Sequence, residues 1–133
     1  MNIEAQIGLV GFFDILGYEN LLSKNEAEDI AKKIFPILMK KGDKVFAEIK
    51  SLFSTNLTED EKTVESIIGT IQWLAFSDTI LITLEINNNR KDYNTFLRWM
   101  SFFLICKELQ CTFFKVGLPL RGAIDFGKFV IKD

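Results

Sequence analysis

The sequence predicts a single α/β domain of the α+β kind, a mainly antiparallel sheet with helices on one face, in the order βαββαβ. Three observations predict it. A short apolar run, Ile7 to Phe13, ends at an aspartate. Two β-rich runs are separated only by Ser77-Asp78. Two stretches with helical apolar spacing, one after the first run and one after the second pair, supply the α elements.

Each element has its own signal. Ile7 to Phe13 is apolar with Gly8 and Gly11 inside it, which reads as a buried central strand ending at Asp14. Ile15-Leu16-Gly17 turns the chain, and Tyr18 to Leu22 begins a helix. From Glu26 the apolar residues Ala27, Ile30, Ala31, Ile34, Phe35, Leu38 and Met39 mark one helical face. The phase runs on through Val45 to Phe53, with Pro36 and Gly42 as weak points. Ser54 to Lys62 is polar and reads as a loop. Ile67 to Phe76 and Thr79 to Ile86 form a tight hairpin, with Ile80, Ile82, Leu84 and Ile86 on one face. A helix from about Asp92 to Phe113 follows, then a strand from Leu118 to Asp125, a turn at Gly127 and a short strand from Lys128 to Ile131. This is the arrangement of ferredoxin-like and palm domains.

Composition bounds the chemistry. The 133 residues make one domain, 48% hydrophobic and 26% charged, which is ordinary globular composition without a linker, repeat or low-complexity segment. A net charge of −2 offers no basic stripe, so neither DNA nor RNA is an expected partner. The absence of histidine removes Ser-His-Asp triads, Cys-His nucleophiles and histidine zinc sites. Cys106 and Cys111 lack CxxC spacing and read as packing residues in a reduced, cytoplasmic protein. No basic leader precedes the first strand, and the apolar run Trp99 to Cys106 is too short to span a bilayer.

Two aspartates carry the chemistry. Asp14 stands where a buried strand ends, with Gly17 and a helix start just behind it. It could serve simply as a helix cap. Asp78 stands at a hairpin tip, where Ser-Asp is also ordinary turn chemistry. In a βαββαβ sheet, however, the end of the first strand and the tip of the hairpin fall at the same edge. Paired carboxylates there repel unless a cation joins them, and such oxygen ligands suit Mg²⁺ or Mn²⁺ carrying substrate phosphates. Their separation is expected to be roughly 4–7 Å, one cation's reach.

The segments GFFDILGYENLL, LAFSDTILIT and LPLRGAIDFGKFV resemble, in order, three landmarks of the class III nucleotidyl cyclase domain, in its divergent bacterial cyclase-like form. The resemblance implies a palm fold, a nucleoside triphosphate substrate and a cyclic nucleotide product, with pyrophosphate released. It makes Asp14 and Asp78 metal ligands, with the Ile15 carbonyl as a backbone ligand. Leu16, Gly17 and Tyr18 match the loop whose amides face the phosphates, and Arg121 matches a strand arginine that neutralises triphosphate charge. Ser77 stands where the family usually has glycine, and Asp125 and Phe126 replace its usual histidine and small residue. The family's domain continues past the equivalent of Asp133 with an asparagine and an arginine that act on the partner subunit's substrate. A C-terminally incomplete domain is therefore expected, binding nucleotide but turning it over slowly. The alternatives are a non-catalytic sensor or dimerisation module, and a GGDEF-like palm nucleotidyltransferase. That last class normally shows an acidic hairpin signature that Phe76-Ser77-Asp78 does not reproduce.

The helix from Asp92 is apolar in nearly every direction through Trp99, Met100, Phe102, Phe103, Leu104, Ile105 and Cys106. One stripe can cover the sheet; the rest needs deep burial or a second subunit, so a homodimer is expected.

Overall fold

The computed structural model describes residues 4–24, 28–29, 32, 36, 66–76, 78–86 and 93–131. Within them, strand β1 (Gln6–Ile15) is followed by helix α1 (Tyr18–Lys24), strands β2 (Gln72–Phe76) and β3 (Thr79–Glu85), helix α2 (Tyr93–Lys115) and strand β4 (Leu120–Phe129). The strands form one four-stranded antiparallel sheet in the order β2-β3-β1-β4. The chain is thus a mixed α/β domain with helices packed against an antiparallel sheet.

Alternation sorts the strand residues by face. Leu9, Phe13 and Ile15 of β1 and Ile80, Ile82 and Leu84 of β3 are buried. Opposite them α2 turns in Leu97, Phe102, Ile105, Leu109 and Phe113, an apolar stripe at three- to five-residue spacing. These residues belong to one core cluster, and they explain why β1 and β3 read so cleanly from sequence. The opposite sheet face carries Phe12 and Leu74, both exposed.

Two readings of the sequence are corrected. Residues 66–70 are helical, so β2 begins at Gln72 rather than Ile67. Ile67 and Ile71 are both buried four residues apart, the Thr70 hydroxyl donates to the Ile67 carbonyl, and Ile71 N–H donates to the Ile68 carbonyl. Local hydrogen bonding there outweighs β propensity. Gly127 makes no turn either. It pairs with Gly8 inside a ten-residue β4, which the equally long β1 carries straight through. Asp125, expected to end a strand ahead of that turn, therefore sits within one.

The expected helical run from Glu26 to Phe53 falls largely outside the described residues. Glu28, Asp29, Lys32 and Pro36, which are described, are helical, and Lys32 pairs with Glu28 at 3.1 Å across one turn. The loop from Ser54 to Lys62, Ser77 and Asn87 to Asn89 also lie outside. No helix among the described residues is long and apolar enough to cross a membrane.

Candidate functional site

Asp14 is the penultimate residue of β1, between the core residues Phe13 and Ile15, so alternation turns it to the face opposite α2. The register sets it directly across from Thr79 of β3 on one side and Arg121 of β4 on the other. Asp78 precedes Thr79 at the hairpin tip. Its carbonyl accepts the Ile15 N–H at 2.8 Å, which ties the tip to the end of β1.

The two carboxylates converge. The Thr79 hydroxyl lies 3.4 Å from Asp14 Oδ1 and 3.4 Å from Asp78 Oδ1. The two carboxylate oxygens are therefore within twice that distance of each other. One hydroxyl donates a single hydrogen bond, and both contacts are long, so Thr79 relieves the repulsion only in part. On the outer side, Arg121 Nη2 stands 3.6 Å from Asp14 Oδ2, with the arginine side chain 72% exposed and the aspartate 31%. Among the described residues no cation pairs with Asp78.

The remaining expected residues stand around this pair. Leu16 and Gly17 form the turn between β1 and α1, and Tyr18 opens α1 and packs against the core. The Leu16 N–H donates to the Pro119 carbonyl at 2.9 Å. Gly17 has φ 74°, in the left-handed region where a side chain is strained, with open space around it. Sequence reasoning missed Thr79 and Pro119. Thr79 was findable as the residue after Asp78, since an antiparallel hairpin beside β1 must set some residue opposite Asp14.

The donor set is hard oxygen. Among the described residues no group of three or more His, Cys, Asp or Glu converges, so a cation here would take two carboxylates and fill its other positions from carbonyls, waters or a ligand. That is how Mg²⁺ is commonly held. Grooves elsewhere among the described residues include one of about 470 Å³ bounded by Leu74, Leu81, Thr83 and Ile131, and one of about 510 Å³ bounded by Gln6, Thr70, Gln72, Glu85 and Arg98. Neither is lined by Asp14 or Asp78. Cys106, by contrast, is buried against the sheet, and burial pushes its thiol up to about 12; Cys111 is exposed.

Comparison with protein-family models finds none that matches the chain, and comparison with curated proteins finds no matching relative. The cyclase resemblance therefore rests on its three short segments.

Proposed function

We propose that this chain is a nucleotidyl cyclase-like domain of the ferredoxin-like or palm type that binds a nucleoside triphosphate with Mg²⁺ or Mn²⁺. The observation that carries the reading is the convergence of Asp14, from the end of β1, and Asp78, from the tip of the β2–β3 hairpin, on the single hydroxyl of Thr79. The strand order β2-β3-β1-β4, all antiparallel, supports it as the order a βαββαβ palm requires.

In this reading Asp14 and Asp78 hold the cation, with the Ile15 carbonyl as a third oxygen. The bound cation supplies Lewis acidity that lowers the ribose hydroxyl's pKa and balances phosphate charge. The amides of Gly17 and Tyr18 face the phosphates, since the Leu16 N–H is committed to Pro119. Arg121, exposed and held to Asp14 only at 3.6 Å, turns to the triphosphate as a planar donor. The ribose 3′-hydroxyl gives up its proton to water as its oxygen bonds to the α-phosphorus, the α–β phosphoanhydride bond breaks, and pyrophosphate leaves. The residues that resemble the family's supply the metal half of such a site. Without a second cation aimed at the developing charge the rate falls on the order of a thousandfold. The domain is therefore expected to bind Mn²⁺–NTP through this half, and its turnover to depend on such a cation.

A mass-spectrometric screen of all four NTPs with Mn²⁺, beside calorimetric binding, tests this. The expected result is metal-dependent binding that Asp14→Asn and Asp78→Asn each weaken. Equal binding by the parent and both variants, or no metal-dependent binding of any NTP, defeats the proposal.

A further inference from the structure

Strand β4 lies at the edge of the sheet, paired on one side with β1. Among the described residues its other side is free. It is ten residues long and contains no proline, the kind of edge that pairs with another strand unless it is blocked. Beside it, Trp99 of α2 stacks on Phe126 of β4 at 5.4 Å and contacts Phe103 at 5.9 Å, and both phenylalanines are exposed. This edge, free among the described residues, thus runs alongside an exposed aromatic patch.

The register restricts what can pair there. Leu16 N–H donates to the Pro119 carbonyl, so every second residue of β4 from Pro119 bonds to β1, and the even-numbered residues Leu120 to Lys128 turn their backbone groups outward. The Phe126 N–H agrees: it bonds its neighbour's Asp125 Oδ1 at 2.8 Å. A second antiparallel strand must match outward residues to outward residues. For two copies of β4 related by a two-fold axis, the axis must then pass through a residue, never between two.

Charge selects among these registers. Centring on Arg121 or Asp125 sets like charges opposite each other. Centring on Ala123 sets Arg121 opposite Asp125 of the second copy, twice, at the non-hydrogen-bonded positions where side chains come closest. The same register sets Leu120 opposite Phe126 and Gly122 opposite Ile124 on the α2 side, and on the other face leaves only the small Ala123 side chains at the centre, between the two ion pairs. Centring on Gly122, Ile124 or Phe126 makes no such ion pair.

We propose that two copies of this chain pair β4 to β4 about Ala123, joining their sheets edge to edge, with Arg121–Asp125 ion pairs on one face and, on the other, each copy's Phe126, stacked under Trp99, set against Leu120 of the second copy. On pairing, the Phe126 N–H passes from its own Asp125 to the Leu120 carbonyl of the second copy, and the freed Asp125 takes that copy's Arg121. This interface does not depend on the nucleotide reading.

The experiment is sedimentation of the full chain at tens of micromolar, combined with cysteine cross-linking. The parent is expected to be a dimer. Arg121→Asp alone and Asp125→Arg alone each raise its dissociation constant by roughly tenfold, and the double swap restores it. Ala123→Cys, in a Cys111→Ser background, forms an intermolecular disulfide under mild oxidation, whereas Gly127→Cys, which would face Pro119, does not. Circular dichroism confirms that each variant is folded. A monomeric parent overturns the proposal. So does a dimer indifferent to both charge reversals, or one in which Ala123→Cys fails to cross-link.

Discussion

Replacing Asp78 by asparagine should stabilise the metal-free protein, and replacing Asp14 should not. One oxygen of each carboxylate lies 3.4 Å from the Thr79 hydroxyl, so their repulsion is about that of two charges at twice this separation. Coulomb's law puts that at about 0.6 kcal/mol in bulk water and about 2.4 kcal/mol at a protein-surface dielectric near 20. Both groups are partly exposed, so a value of about 1 kcal/mol is expected after solvent screening. Asp78→Asn removes this repulsion and loses no described ion pair. Asp14→Asn removes the same repulsion but also the contact with Arg121, which at 72% exposure is worth about 0.2–1 kcal/mol. The two effects offset. Urea unfolding at pH 7 and low salt should then show Asp78→Asn about 1 kcal/mol above the parent, or about 4 °C in Tm, with Asp14→Asn near zero. In 1 M salt, where the Debye length is about 3 Å, the gain should shrink. Adding Mn²⁺ at a hundred times its Kd should reverse the ranking, stabilising the parent by about 2.7 kcal/mol and neither variant. An Asp78→Asn protein less stable than the parent, at any salt, refutes the convergence argument.

Three further outcomes are expected. Ser101 is fully buried in α2 and its hydroxyl has no partner among the described residues, so Ser101→Ala should raise stability by about 1 kcal/mol in the same melts. Burial pushes the Cys106 thiol up to about 12 from 9.0, so the unfolded chain releases this proton first as pH rises. The thiol costs nothing below pH 9 and reduces stability progressively from there towards pH 12; thiol titration of native protein should label Cys111 alone. A methyl group at Gly122 would run into the Phe12 carbonyl oxygen and the Phe13 ring, so Gly122→Ala should cost about 1–3 kcal/mol in urea unfolding despite the residue's exposure.

The parts of the fold legible in the sequence are those whose side chains are saturated on one face. Strand β3 shows strict alternation because Ile80, Ile82 and Leu84 are all buried in one core cluster, and β1 shows a continuous run because it is central. The helical turn at 66–70 was not legible through propensity, since Ile67, Ile68 and Ile71 are β-branched. The signal present was the four-residue spacing of Ile67 and Ile71. Strand β4 was cut short because a lone glycine suggests a turn, and nothing within β4 itself says that Gly127 will lie opposite Gly8. The same misreading hid part of the site. That Asp14 and Asp78 meet follows from topology alone. That Arg121 faces Asp14, and that Pro119 takes the Leu16 amide, depends on the β1–β4 register, which only the full-length strand defines.

Arg121 is where the proposed function and the proposed interface compete. Its guanidinium balances Asp14 in the metal-free chain, would face phosphate in the nucleotide complex, and would take Asp125 of a second copy at the paired edge. A contact at 3.6 Å on an exposed side chain holds it weakly, so either competitor can remove it without disturbing the fold. Removal has opposite consequences for the carboxylates in the two cases. A phosphate arrives with its own cation, which Asp14 and Asp78 can bind. Pairing at the edge brings no cation and leaves Asp14 beside Asp78 with only the Thr79 hydroxyl between them. Under the two proposals together, edge pairing therefore raises the affinity of the carboxylates for a divalent cation, and by linkage a divalent cation strengthens the dimer.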